Sequence, residues 1–176
     1  MRARIVGLAF VLGLAAVGAG VAGLNRNWST HANGSMEVPA RDTQGQGQAI
    51  FHLSKDGTQL DYKLNASNIE NVFMAHIHKG VPEVNGPIVV WLYPSTTPGV
   101  TGPLGAGRTD GVLVEGSIDA GDIATVSAPA GYDFADLIAD LNGGGAYVNF
   151  HTNDNVAPTN TGAGDFPGGE IRGDVN

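Results

Sequence analysis

A chain of 176 residues with 9 basic and 17 acidic side chains carries a formal charge of −8 and contains no cysteine. One domain behind a targeting segment fits that length. The charge excludes nucleic acid and anionic lipid as electrostatic partners, and the missing cysteine excludes a disulfide framework, a thiolate metal site and a cysteine nucleophile.

Residues 1–24 read as a signal peptide or N-terminal anchor. Arg2 and Arg4 precede an uncharged run over 5–24, and Gly20-Val21-Ala22 supplies small residues for cleavage. Left uncleaved, that run is just long enough to span a bilayer and would be the chain's only membrane contact. Either fate places the body outside the cytoplasm, secreted or at the cell surface. Losing Arg2 and Arg4 leaves seven basic against seventeen acidic residues, a net charge of −10. A cation or an extracellular protein with a basic surface is then the natural partner.

Residues 25–46 are polar and glycine-rich, a lead-in with a candidate edge strand around Trp28 to His31. As an edge strand it could be exchanged between copies to make a homo-oligomer. From Gly47 the pattern alternates: Ala49, Phe51 and Leu53 share one face, then Leu60, Tyr62 and Leu64 share another. Lys55-Asp56-Gly57-Thr58 between them predicts a hairpin turn. Further strands are expected over 72–78, 88–93, 111–118, 146–152 and 170–175. Residues 133–141 instead place Phe134, Leu137, Ile138 and Leu141 at helical spacing behind Asp133 as N-cap, and Gly143 to Gly145 stop the helix. With 27 glycines and 9 prolines between short strands, the expected class is all-β: an antiparallel Greek-key β-sandwich over 47–176 with one short helix.

Strand alternation puts His76 and His78 of "NVFMAHIHKG" on one face and Phe73, Ala75 and Ile77 on the other. In "AYVNFHT", Tyr147, Asn149 and His151 likewise share a face. If the two strands are neighbours, His76, His78 and His151 form a three-nitrogen set suited to copper or zinc. His52 and His31 read as solvated surface residues. The Asn/Asp-rich segment 151–165 lacks the ligand spacing of an EF-hand and reads as a polar surface loop. Nucleophile-elbow, zincin, P-loop and dinucleotide motifs are all missing, so no catalytic residue and no organic cofactor is assigned.

Three segments, "AHIHKGVPEVNGPIVVWLY", "LNGGGAYVNFHT" and "FPGGEIRGDV", together resemble the CHRD domain, the module repeated in chordin and found alone in many microbial exported proteins. His76, His78, Asn85, Gly86, Asn149, His151, Thr152, Glu170 and Arg172 match that pattern. The resemblance implies one histidine constellation, while chordin's growth-factor partners do not carry over without its cysteine-rich modules. Asn85-Gly86-Pro87 reads as a turn with positive φ at Gly86, and Glu170 and Arg172, two apart on a strand, as an ion pair. A looser similarity links the H-x-H strand and late histidine to copper/zinc superoxide dismutase. Residues 79–146, however, lack the further histidines that a bimetallic site needs. The expected function is an exported, non-catalytic extracellular binding or structural module with a histidine-based divalent metal site. The alternative is a copper/zinc-dependent oxidoreductase of dismutase type.

Overall fold

Alternating burial runs along the strands and curls them into a single sheet. The computed structural model describes residues 26–176, so the leader assigned to 1–24 lies outside the described residues. Eight strands follow in chain order: β1 (Asn27–Asn33), β2 (Gln46–Leu53), β3 (Leu60–Glu70), β4 (Val72–Lys79), β5 (Ile88–Tyr93), β6 (Arg108–Ile118), β7 (Ala146–Thr152) and β8 (Ile171–Asp174), with helix α1 (Phe134–Gly143) before β7. Every pairing is antiparallel, in the order β5-β4-β7-β8-β1-β2-β3-β6. The Greek-key, all-β architecture with one helix is therefore present, as one nearly closed sheet.

The predicted hairpin is β2–β3, in the register Ala49↔Leu64, Phe51↔Tyr62 and Leu53↔Leu60. Gly57 takes φ +76 in its turn, where the Asp56 carboxylate accepts from the Ser54 and Thr58 hydroxyls. The open seam lies between β5 and β6. Tyr62, on β3, reaches over Gly116 of β6 and donates its hydroxyl to the Leu92 carbonyl of β5 at 2.7 Å. A Cβ on Gly116 would stand 2.6 Å from that hydroxyl oxygen, so glycine makes the crossing feasible. The core inside the curl includes Phe51, Leu60, Leu64, Ile77, Leu92, Ile118, Phe150 and Ile171, all fully buried. Helix α1 begins with a reciprocal capping box between Asp133 and Asp136 and ends on left-handed Gly144, burying Leu137 and Leu141.

The lead-in strand departs from expectation. Far from an edge, β1 pairs with β2 along its whole length and meets β8 at Asn33↔Arg172. Trp28, Thr30 and Ala32 point inward while Asn27, Ser29 and His31 take the outer face. Only one large apolar residue marks the buried side, so the strand reads as polar although it is interior, and the edge needed for strand exchange is already paired.

Strand β7 positions the functional residues, because all seven of its side chains are buried. Ala146, Val148 and Phe150 face the hydrophobic core, which leaves Tyr147, Asn149 and His151 beneath a second, polar layer. Residues 34–45, 80–87 and 153–170 lie over that layer, with Glu37, Gly86 and Pro167 making its contacts. Arg172 of β8 ties down the middle segment by donating from Nη1 and Nη2 to the Val84 and Val81 carbonyls at 3.1 and 3.0 Å.

The 80–87 turn also differs from its sequence reading. Its tight bend is Val81 to Val84, closed by Val84 N–H to Val81 C=O at 3.1 Å with Glu83 at φ +65. Gly86 has no positive φ. It is glycine because a Cβ there would fall 1.6 Å from the Lys79 carbonyl oxygen. Gly86→Ala is therefore expected to cost about 2–4 kcal/mol in urea unfolding. Gly57→Ala, which has strained φ but open space around it, should cost only about 1 kcal/mol.

Candidate metal centre

The three histidines named from the sequence do meet. β4 and β7 are neighbours in the register His76↔Asn149 and Met74↔His151, which puts His151 diagonally across from His76 on the same face. On the other side of β4, irregularities in the pairing with β5 fall on both sides of His76-Ile77, where bulges commonly re-aim side chains. Ring centroids are 4.8 Å apart for His76 and His151, 5.6 Å for His76 and His78, and 6.2 Å for His78 and His151. One nitrogen from each ring lies within 4.8 Å of the other two. A tetrahedral ion with ligands at about 2.0–2.1 Å spaces them about 3.4 Å apart, so the rings would draw inward slightly on binding. Among the described residues this is the one such grouping of three or more metal-ligating side chains, and segment 151–165 contributes only His151 to it.

The hydrogen bonds decide which ring nitrogens are free. His78 Nδ1 lies 2.9 Å from the Gly86 carbonyl and His151 Nδ1 lies 2.9 Å from the Pro167 carbonyl. A carbonyl only accepts, so both rings carry the proton on Nδ1 and offer a lone pair at Nε2. His76 Nδ1 sits 3.0 Å from His151 Nε2 and, without an ion, donates to it. His76 Nε2 and His78 Nε2 remain buried with no partner. Carbonyl bonds that orient the far nitrogen are the usual second layer around a metal-binding imidazole.

Burial keeps the rings neutral, the state that binds metal. His76, His78 and His151 are 0%, 8% and 6% exposed. Loss of water, followed by the nearness of His151 and His78, brings His76 down to about 2. Burial likewise brings His151 down to about 4 against the opposing pull of the Pro167 carbonyl, and it depresses His78 below its ordinary value.

Aromatic rings wall the cluster. Trp91 packs edge-on to His76 at 4.2 Å, Phe73 edge-on to His151 at 6.5 Å, and Tyr147 stacks on His78 at 4.8 Å with 12° between planes. The Arg172 guanidinium lies 3.5 Å over the same Tyr147 ring. Arg172 does not pair with Glu170 as its spacing suggested. Its carboxylate partner is Asp174, bonded through Nε at 2.9 Å. Glu170 precedes β8 and accepts from the Thr43 and Thr152 hydroxyls and the Gly164 N–H. Neither His31 nor His52 joins the site, since both are exposed and bond to Gln46 and Asn27.

Two residues beside the cluster had no assigned role in the sequence reading. Asn149 donates from Nδ2 to Glu37 Oε1 at 3.2 Å, and both are buried. Burial raises the Glu37 carboxyl, opposed by the Asn149 bond and by the Arg172 and Arg41 charges. Gly169 makes this contact feasible, because a Cβ there would stand 2.5 Å from Asn149 Nδ2 and 2.6 Å from Glu37 Oε1. Asn149 was signalled by sharing a face with His151 and by the family pattern, whereas nothing in the sequence pointed to Glu37.

A nearly closed Greek-key sheet carrying a buried set of three neutral imidazoles on its outer face defines the class: an all-β domain with a preformed nitrogen cluster. The chain belongs to the CHRD domain family, whose model matches residues 28–175. The match begins within β1, so the lead-in strand is part of the family domain. No curated protein and no solved structure matches the chain.

The depressed histidines set an acid limit on stability. Unfolded histidines gain protons near pH 6.5, while folded His151 and His76 stay neutral down to about 4 and about 2. Between those limits the unfolded chain binds more protons, so stability is full above pH 6.5 and falls as pH drops. The loss is at most about 1.4 kcal/mol per pH unit per histidine. Urea midpoints from pH 7.5 to 4.5 should show this decline, and a His76→Phe/His151→Phe variant should show a shallower one.

Proposed function

We propose that this is an exported, non-catalytic binding or structural module in which His76, His78 and His151 together hold one zinc or copper ion. The observation that carries the reading is the pair of buried, donorless Nε2 atoms on His76 and His78 beside His151. A buried acceptor without a donor costs about 1–3 kcal/mol, and a cation at the shared position relieves that cost. Zinc and copper suit a neutral imidazole set better than calcium or magnesium, which prefer oxygen.

Export is supported by the family, whose members are typically extracellular, and by the charged, uncharged and small-residue pattern of residues 1–24. No helix among the described residues is long and apolar enough to cross a membrane. The burial of all three rings favours a structural ion over the dismutase-type alternative, because turnover needs a coordination position that substrate can reach.

Calorimetry with Zn(II) or Cu(II) is expected to give one ion per chain. Free metal at a hundred times the dissociation constant should add about 2.7 kcal/mol to folding stability. A triple His76/His78/His151→Ala variant that kept wild-type stoichiometry and affinity would refute the site. Copper-loaded protein should dismutate superoxide no faster than copper-free protein; turnover at the loaded site would instead establish the oxidoreductase reading.

A further inference from the structure

We propose that Asn149 completes the centre as an oxygen ligand, held in position by Glu37. This inference rests on the three-histidine reading and extends it to a four-ligand set. Asn149 stands directly opposite His76 in the β4–β7 register and two residues from His151 on the same face of β7. It is 4% exposed.

The orientation of the amide follows from its partner. Nδ2 donates to Glu37 Oε1 at 3.2 Å, which turns Oδ1 away from the carboxylate. That oxygen is buried and has no hydrogen-bond donor. His76 Nε2 and His78 Nε2 are in the same condition. These three buried acceptors stand on two neighbouring strands and meet no donor, a want of positive charge that a metal cation would supply. Three imidazole nitrogens and one amide oxygen make a four-coordinate set.

The surrounding chain is shaped to hold the amide. Glu37 arrives from the segment that follows β1, and its bond to Asn149 spans 112 residues of sequence. Gly169 lies against that bond with no room for a side chain. Glu37 is thus a positioning residue: it grips the nitrogen end of the amide and leaves the oxygen end for the ion.

The test uses the whole chain with Co(II) as a spectroscopic probe and Zn(II) in competition. Asn149→Leu removes the oxygen at similar volume. It should weaken Zn(II) binding at least about tenfold and alter the visible Co(II) spectrum, and Glu37→Leu, which removes the acceptor that grips the amide nitrogen, should weaken binding by about tenfold. Asn149→Asp combined with Glu37→Gln keeps an amide–carboxylate bond at this contact with the donor now on residue 37, puts a charged oxygen beside the histidines and should tighten binding about tenfold or more. If the amide serves only to bond Glu37, the double variant will bind no more tightly than wild type, and the ligand assignment falls. That variant decides the matter even where Asn149→Leu does not fold. Wild-type protein that binds neither metal overturns the three-histidine reading as well. Wild-type binding that depends on the histidines but is unchanged in affinity and spectrum by both Asn149 variants overturns this inference alone.

Discussion

The polar layer depends on a guanidinium that has no contact with water. Arg172 is 0% exposed, yet its nitrogens bond to Asp174 and to the Val81 and Val84 carbonyls, and its plane lies on Tyr147. Burying a charge costs several kcal/mol unless its donors are met, and a planar fork can meet several fixed acceptors at once where a lysine could not. Because the two carbonyls belong to the 80–87 segment, the same residue that stacks on Tyr147 also holds the covering turn. Tyr147 passes the constraint on by stacking against His78, and the turn passes it on through the Gly86 carbonyl that fixes the His78 tautomer.

This arrangement gives β7 two interiors. Its apolar face belongs to the core shared with β2, β3 and β8, while its polar face lies under segments tied down by hydrogen bonds. Glu170 anchors one of these segments through Thr43, Thr152 and the Gly164 N–H. Imidazoles enclosed in this way stay neutral far below their ordinary range. That keeps their lone pairs available and simultaneously denies access to solvent. A closed, uncharged nitrogen set suits an ion that is held as part of the fold rather than one that turns over substrate.

The readable elements were those whose signal is local. Ala49, Phe51 and Leu53 facing Leu60, Tyr62 and Leu64 announce a hairpin through period-two alternation, and Asp133 with the 3.6-residue spacing behind it announces the helix. β1 was legible as a strand but not as an interior one, since position in a sheet depends on partners: β2 thirteen residues on at its nearest paired ends would be an ordinary guess, but β8 at Arg172 would not. Gly86 was correctly marked and wrongly explained, because a collision with the Lys79 carbonyl leaves no trace in the surrounding residues. Glu170 and Arg172 share the spacing of a paired ladder, but β8 begins only at Ile171, and each found other partners.

Sequence by itself determined the class of fold, the two strands that carry the histidines and the face on which each histidine stands, because side-chain alternation is a property of a single strand. Tertiary structure alone decided that those strands are adjacent, that the shared face is sealed, and that Asn149, Glu37 and Gly169 gather beside the rings. These are facts of register and close approach between segments far apart in the chain, 75 residues between His76 and His151 and 112 between Glu37 and Asn149. No local pattern can encode them, since each depends on where another part of the chain comes to rest.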